Sequence, residues 1–270
     1  SYTKLINIVV DVNNLENPKL YMDLIQLDKD FEINISDIAI SNNGSIVTSY
    51  GVREEYEDPY HYTLKVMNEK GEFMEPIDLK VEEYYLSNIK FVPYTDYFML
   101  SGYFVVEKEK QNVATGFFLA KLDPNTNKIN NLSSFPYTEE FFTSLGYKIS
   151  KDGDVNFGGR YDLNIIPDNK GGGFLIADHA VGSRASYHLS SLESIIIPFD
   201  KNGDLGNKIV LPKSVYGAYG HVNGSGYFAY VKDEKLCMVY NESLDNLKQT
   251  DYKEFEIMDN VDDRKNGTVL

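Results

Sequence analysis

The chain has 270 residues, 42% hydrophobic and 25% charged, an ordinary globular composition with enough apolar material for a core. Its formal net charge of −15 repels phosphate backbones and anionic lipid, so nucleic acid and the membrane surface are poor partners. Cys237 stands alone, which excludes an internal disulfide and a cysteine-based zinc site, and no run of about 20 apolar residues is present to span a membrane.

The chain carries 21 Tyr and 15 Phe but no Trp, and aromatic and β-branched residues favour strands. In chain order, "KLINIVV" (4–10) and "LIQLDKDFEI" (24–33) give a partial strand unit over 1–35. A full unit follows at 36–80. It begins with the hairpin "IAISNNGSIVTSYG" (38–51) and ends with a second turn, "LKVMNEKGEF" (64–73). The next unit, 86–133, repeats the pattern with "IKFVPYTDYFMLSGYF" (89–104) and "LAKLDPNTNKI" (119–129). Residues 134–161 leave the frame. They hold the best helical window, "TEEFFTSLG" (138–146), and read as an insertion or a degenerate blade, with the insertion favoured.

A third unit, 162–212, runs from "LNIIPDNKGGGFLIAD" (163–178) to "IIPFDKNGDL" (196–205). A fourth, 217–258, runs from "GAYGHVNGSGYFAYV" (217–231) through "MVYNESLDNL" (238–247). Here Cys237 sits in the apolar run "KLCMVY", which predicts a buried, inert thiol. Asp28, Asn68, Asp123, Asp200 and Asn241 thus anchor similar turns along the chain. Four antiparallel strands in roughly 40–50 residues, repeated, is the pattern of a β-propeller blade. The expected fold is an all-β propeller of four-stranded blades in a single domain. Five blades are favoured over six or part of a larger propeller.

The stretches "SLESIIIPFDKNGDLGNKIVLPKS" and "HVNGSGYFAYVKDEKLCMVYNESLDNL" resemble a group of uncharacterised secreted bacterial proteins, classed as domains of unknown function. Its members pair a strand ending in Asp-x-x-Gly with an "IPK"-like segment, here Leu211-Pro212-Lys213. The resemblance covers mainly residues 160–250. It implies export to the cell envelope or beyond, and it transfers no catalytic residue.

Chemistry-bearing motifs are few. A calcium loop from Asp200 would place Asn202 and Asp204 correctly, but Leu205 and Leu211 stand where Gly and Glu are required, so a hairpin turn is favoured and no metal is expected. No G-x-S-x-G elbow is present, and His221 and Ser225 lie across a hairpin turn from each other. The densest group of His, Arg and Tyr is Arg160, Tyr161, His179, Arg184, Tyr187 and His188, in and just before a stretch read as a long connection, 177–191. Loops carry function more often than strands, so these six are the candidate ligand-binding residues. Local ordering of the loop is the competing explanation. The expected function is a non-enzymatic binding scaffold for a protein or glycan, with no cofactor. The alternative is a carbohydrate-active enzyme with carboxylates such as Asp37, Asp162 and Asp178 at a central opening.

Overall fold

The computed structural model describes residues 4–11, 19–26, 32–53, 55, 60–81, 84–108, 111–145, 147, 160–183, 188–218, 227–243, 258–259 and 266–269. The protein is all-β: these residues form five sheets, all pairings antiparallel but one, and one short helix. The chain divides into two compact units, Ser1–Pro136 and Tyr137–Leu270.

In the first unit, β1 (Lys4–Asp11) and β2 (Lys19–Gln26) form a hairpin. A meander follows: β3 (Glu32–Ile40), β4 (Ile46–Arg53), β5 (His61–Met67) and β6 (Ile77–Asp78). The second meander contains β7 (Lys80–Val81), β8 (Tyr84–Pro93), β9 (Phe98–Lys108), β10 (Gln111–Asp123) and β11 (Lys128–Pro136). These sheets follow the sequence units 1–35, 36–80 and 86–133 with shifted bounds: β3 begins at Glu32, and β7 at Lys80 already belongs to the second meander. β11 runs on to Pro136 and so takes in the first residues of the segment that left the frame.

The two meanders share one core: Val47, Leu64 and Val66 face Leu86, Phe91, Phe98, Leu100 and Phe118. Their leading strands are also joined by polar bonds. The Phe91 N–H donates to Asp37 Oδ2 at 2.9 Å, and Ser36 Oγ donates to the Ile89 carbonyl at 3.4 Å. First strand against first strand is how consecutive propeller blades stack. Asp37 is therefore used as a link between sheets, accepting from Phe91 and also from Ile38 N–H at 2.9 Å.

In the second unit, helix α1 (Glu139–Ser144) precedes a third meander. It consists of β12 (Arg160–Pro167), β13 (Gly173–Ser183), β14 (His188–Phe199) and β15 (Ile209–Ala218). The fifth sheet contains β16 (Tyr227–Lys232) and β17 (Lys235–Ser243). Two short strands close the order. β18 (Met258–Asp259) lies parallel to β15, and β19 (Asn266–Val269) pairs with β17. The expected hairpin at Asn223-Gly224 lies outside the described residues, as do His221 and Ser225. The described turn of this sheet is Asp233-Glu234, with φ of 50° and 63°. Cys237 is half-buried rather than buried, because it pairs with Tyr230 on the face of the sheet turned away from Met238 and the core.

The turns at Asn68, Asp123 and Asp200 explain part of the repeat seen in the sequence; Asn241, expected to anchor another, lies inside β17 paired with Thr268, and Asp28 lies outside the described residues. Asp200 Oδ1 accepts from the N–H groups of Asn202 (2.8 Å) and Asp204 (3.0 Å), while Gly203 N–H reaches the Asp200 carbonyl at 2.9 Å. Asn68 does the same with Lys70 (3.0 Å), Glu72 (3.0 Å) and Gly71 (2.9 Å). Asp168 repeats it with Lys170 (2.7 Å) and Gly172 (2.8 Å). The fourth position is Gly71, Gly171 or Gly203 at φ of 79°, 91° and 89°, a region that side-chain-bearing residues avoid. The "DKNGD" stretch is one of these turns. These backbone donors, that of Asp204 foremost, hold the Asp200 carboxyl below the usual range.

Candidate functional site

The densest polar group among the described residues lies in the second unit. It begins with a register: Tyr161 on β12 pairs with His179 on β13. Alternation then puts Tyr161, Leu163 and Ile165 on one face of β12, and all three are buried. Irregularities between Asp178 and Ala180 and between Ser191 and Glu193 shift the register of β13 and β14 in this region. Glu193 enters the same buried place, two positions before the buried Ile195.

Helix α1 supplies the fourth member. Thr138 caps it by accepting from Phe141 N–H at 3.1 Å, and Glu139 and Glu140 occupy its first turn. Phe142 is buried, and the chain folds back so that Tyr147 N–H donates to the Phe142 carbonyl at 3.0 Å. Lys208 Nζ donates to Ser144 Oγ at 2.7 Å and pins the helix end. Tyr137, Phe141, Phe142, Tyr147, Tyr161 and His179 then form a chain of ring contacts with centroids 5.3–6.1 Å apart.

At the centre is the Glu193 carboxylate. Tyr161 O–H donates to Oε1 at 2.6 Å, and Tyr147 O–H lies 2.9 and 3.1 Å from the two oxygens. His179 Nδ1 is 2.7 Å from Tyr147 Oη and 3.2 Å from Glu193 Oε2. Tyr147 has one proton. If it goes to Glu193, the Tyr147 oxygen must accept from His179, and Nδ1 carries the hydrogen. Two hydroxyl donors thus converge on one carboxylate, with His179 Nδ1–H supporting Tyr147 from behind, which is how a buried charge is kept solvated by protein. Burial, reinforced by the negative Glu193, pushes the Tyr161 hydroxyl far above its ordinary range. The protonated phenol is the favoured form, and it donates to Glu193.

The opposite face of β12 carries a second group. Asp162 pairs with Asp178 on β13, and Asp178 pairs with Ser194 on β14. Ser194 Oγ donates to Asp178 Oδ1 at 2.5 Å. Asn164 Nδ2 donates to Tyr227 Oη at 3.0 Å, tying β12 to β16. Burial, with Asp178 and Asp162 adding charge, pushes the Tyr227 hydroxyl up to about 12. Two carboxylates facing each other across strands repel, a cost that a purely structural strand does not need. Among the described residues no group of three or more His, Cys, Asp or Glu is arranged to hold a metal ion.

Of the six residues singled out from sequence, the structure brings Tyr161 and His179 together, with ring centroids 5.3 Å apart. Arg160 lies on β12 opposite Ala180, and His188 on β14 opposite Ser183 and Ala218. Arg184 and Tyr187 lie outside the described residues. The long connection expected over 177–191 is corrected: β13 continues to Ser183 and β14 starts at His188. Apolar patterning ended these strands too early, because polar residues such as Ser183, Ser190 and Ser191 pair as well as isoleucines do.

Sequence reasoning missed Glu193 and Tyr147. A glutamate two residues before an apolar run, on its inward-facing alternation, is the signal that marks Glu193. Tyr147 follows the helix in a segment with no repeat to frame it.

No family model matches the chain, and no curated protein matches it. Among solved structures it is similar to a subtype N11 neuraminidase-like protein of A/flat-faced bat/Peru/033/2010 (H18N11). Identity is 10% and the TM-score 0.42, with 87% of this chain and 63% of that chain covered.

Proposed function

We propose that the protein is a non-enzymatic binding scaffold, exported from the cytoplasm, that presents the β13–β14 end of its third meander to a protein or glycan ligand. The observation that supports it is the closed network at Glu193. Tyr161, His179 and Glu193 are 0%, 1% and 8% exposed, and the Tyr161 hydroxyl and His179 Nδ1 both lie against the Glu193 carboxylate. Such a cluster stiffens β13 and β14 where they carry it. The proposed ligand contacts are Arg160, Arg184, Tyr187 and His188.

The test is a glycan array and a binding screen against purified envelope proteins, comparing the wild type with Arg184→Ala and His188→Ala. A ligand lost in both variants, with unchanged thermal stability, is the expected result. Binding that ignores both substitutions defeats the proposal. Cell fractionation of the native source checks export.

The pair Asp162 and Asp178 beside Tyr227 favours a second reading, a glycoside hydrolase-like activity. Release of nitrophenol from aryl glycosides, abolished in both Asp162→Asn and Asp178→Asn, would establish it and overturn the scaffold.

A further inference from the structure

We propose that Tyr147, His179 and Glu193 form a binding site for a ferric ion. Their donor atoms make a closed triangle. Tyr147 Oη lies 2.7 Å from His179 Nδ1 and 3.1 Å from Glu193 Oε2, and His179 Nδ1 lies 3.2 Å from Glu193 Oε2. Adjacent ligands of an octahedral ion with bonds of about 2.1 Å are about 3.0 Å apart, so the triangle has the size of one face of such a site. His179 and Glu193 supply an imidazole and a carboxylate, and a phenol takes the third place.

The backbone is shaped around this face. His179 and Glu193 sit at the register irregularities of β13 and β14, and bulges re-aim side chains beside functional sites. Tyr147 is held by its N–H bond to the Phe142 carbonyl at 3.0 Å and by a ring contact with Phe142 at 5.7 Å. Tyr161 O–H donates to Glu193 Oε1 at 2.6 Å and fixes the carboxylate, as outer partners of metal ligands do. Among the described residues no Lys or Arg bonds to Glu193, and its ion-pair partner is His179. A buried carboxylate is kept by pairing or by coordinating a metal, and a lone imidazole is a weak countercharge. His179 and Tyr161 are buried but Tyr147 is half-buried, so Tyr147 marks the side from which an ion enters.

The donors select the ion. Phenolate and carboxylate are hard oxygen ligands, and imidazole suits iron as well. Binding releases one proton. Tyr147 gives its hydroxyl proton to solvent, while the His179 ring hydrogen passes from Nδ1 to Nε2 and frees the Nδ1 lone pair. A trivalent ion offsets the loss of the phenol proton more than a divalent one. The formal charge of −15 draws cations to the chain. Three protein ligands leave coordination positions for water or a further small ligand.

The experiment incubates the full chain with ferric nitrilotriacetate, removes the excess by desalting, and measures iron by atomic absorption and a visible phenolate-to-iron charge-transfer band. One iron per chain, with the band, is the expected result. Tyr147→Phe should abolish the band, and His179→Gln should weaken iron binding about tenfold or more. Tyr161→Phe should keep the band, because Tyr161 bonds the carboxylate and not the ion. Asp200→Asn, in a surface turn, should bind iron as the wild type does. If Tyr147→Phe does not fold, resonance Raman spectra of the wild type decide, since excitation in the band must enhance tyrosinate vibrations. No retained iron, iron without the band or without those vibrations, or a band that survives Tyr147→Phe overturns the proposal. The Arg184 and His188 test needs no iron, so the two readings fall separately.

Discussion

Single residues decide whether the Glu193 network holds. Replacing Glu193 by Gln keeps the shape but removes the charge on which Tyr147, Tyr161 and His179 converge. Loss of charge-assisted bonds and the appearance of misdirected amide donors should cost about 2–4 kcal/mol in urea denaturation. Tyr161→Phe leaves one acceptor short of a donor and should cost about 1–2 kcal/mol. Tyr227 makes a pH test with a definite sign. Its folded value of about 12 lies above the unfolded value, roughly 10 for tyrosine. The neutral phenol is therefore favoured by folding. Its contribution is complete below pH 10 and is lost as the pH rises toward 12. Tyr227→Phe should flatten the alkaline fall in stability, measured as urea midpoints across that window. Asp200 works in the opposite sense, since its carboxyl is held low by backbone donors. Its contribution is present above the unfolded carboxylate range and is lost as pH falls through the lowered folded value. Asp200→Asn keeps an Oδ1 acceptor, as Asn68 does naturally, and should show a weaker acid dependence of Tm than the wild type.

Elements show how much could be read without coordinates. The turns at Asn68, Asp123 and Asp200 were legible because the chemistry that makes them is local: a side-chain oxygen, two or three intervening residues, and a backbone N–H. The strands they join were legible wherever apolar residues ran together, as in "FLIA" and "SIIIPF". Polar strand ends were not, since the pairing of Ser183 with His188 is decided by the sheet and not by either residue alone. The Asp233-Glu234 turn was hidden for a related reason. Both residues adopt positive φ although neither is Gly or Asn, so the strands on each side impose the turn. Changing the pair to Asn-Gly should therefore stabilise the protein by about 1 kcal/mol, seen as a raised urea midpoint, because the exposed Lys170–Glu234 pair that is lost contributes little. Gly102 sets an opposite case on β9. A Cβ there would sit 2.8 Å from the Ser87 carbonyl and 2.9 Å from Phe118 Cε1. Gly102→Ala should destabilise the protein by about 1–3 kcal/mol through overpacking.

At the scale of the whole molecule, the two units share one style of construction. Each joins consecutive sheets through their leading strands, by Asp37 and Ser36 in the first and by Asn164 and Tyr227 in the second. Period and turn chemistry made this blade pattern readable from the sequence. The candidate site was only half readable, because a network between Tyr147, His179 and Glu193 depends on strands and a helix converging from distant positions. Each unit also leaves apolar side chains on the surface: Ile35, Ile38 and Ile40 in the first, Phe228 and Tyr230 in the second. Patches of this kind bind apolar dyes. Native protein should enhance 8-anilinonaphthalene sulfonate fluorescence, and Ile38→Lys combined with Phe228→Lys should remove most of the signal.

The shared turn at Asn68, Asp168 and Asp200 has a practical consequence for anyone altering the chain. Because each closes on its own first side chain, the five-residue segments are interchangeable cassettes. "DKNGD" can be spliced in for "NEKGE", or the reverse, with both flanking strands left in register. Grafted peptides and labels can then be carried at the other end of each sheet, while this end works as a set of identical clasps.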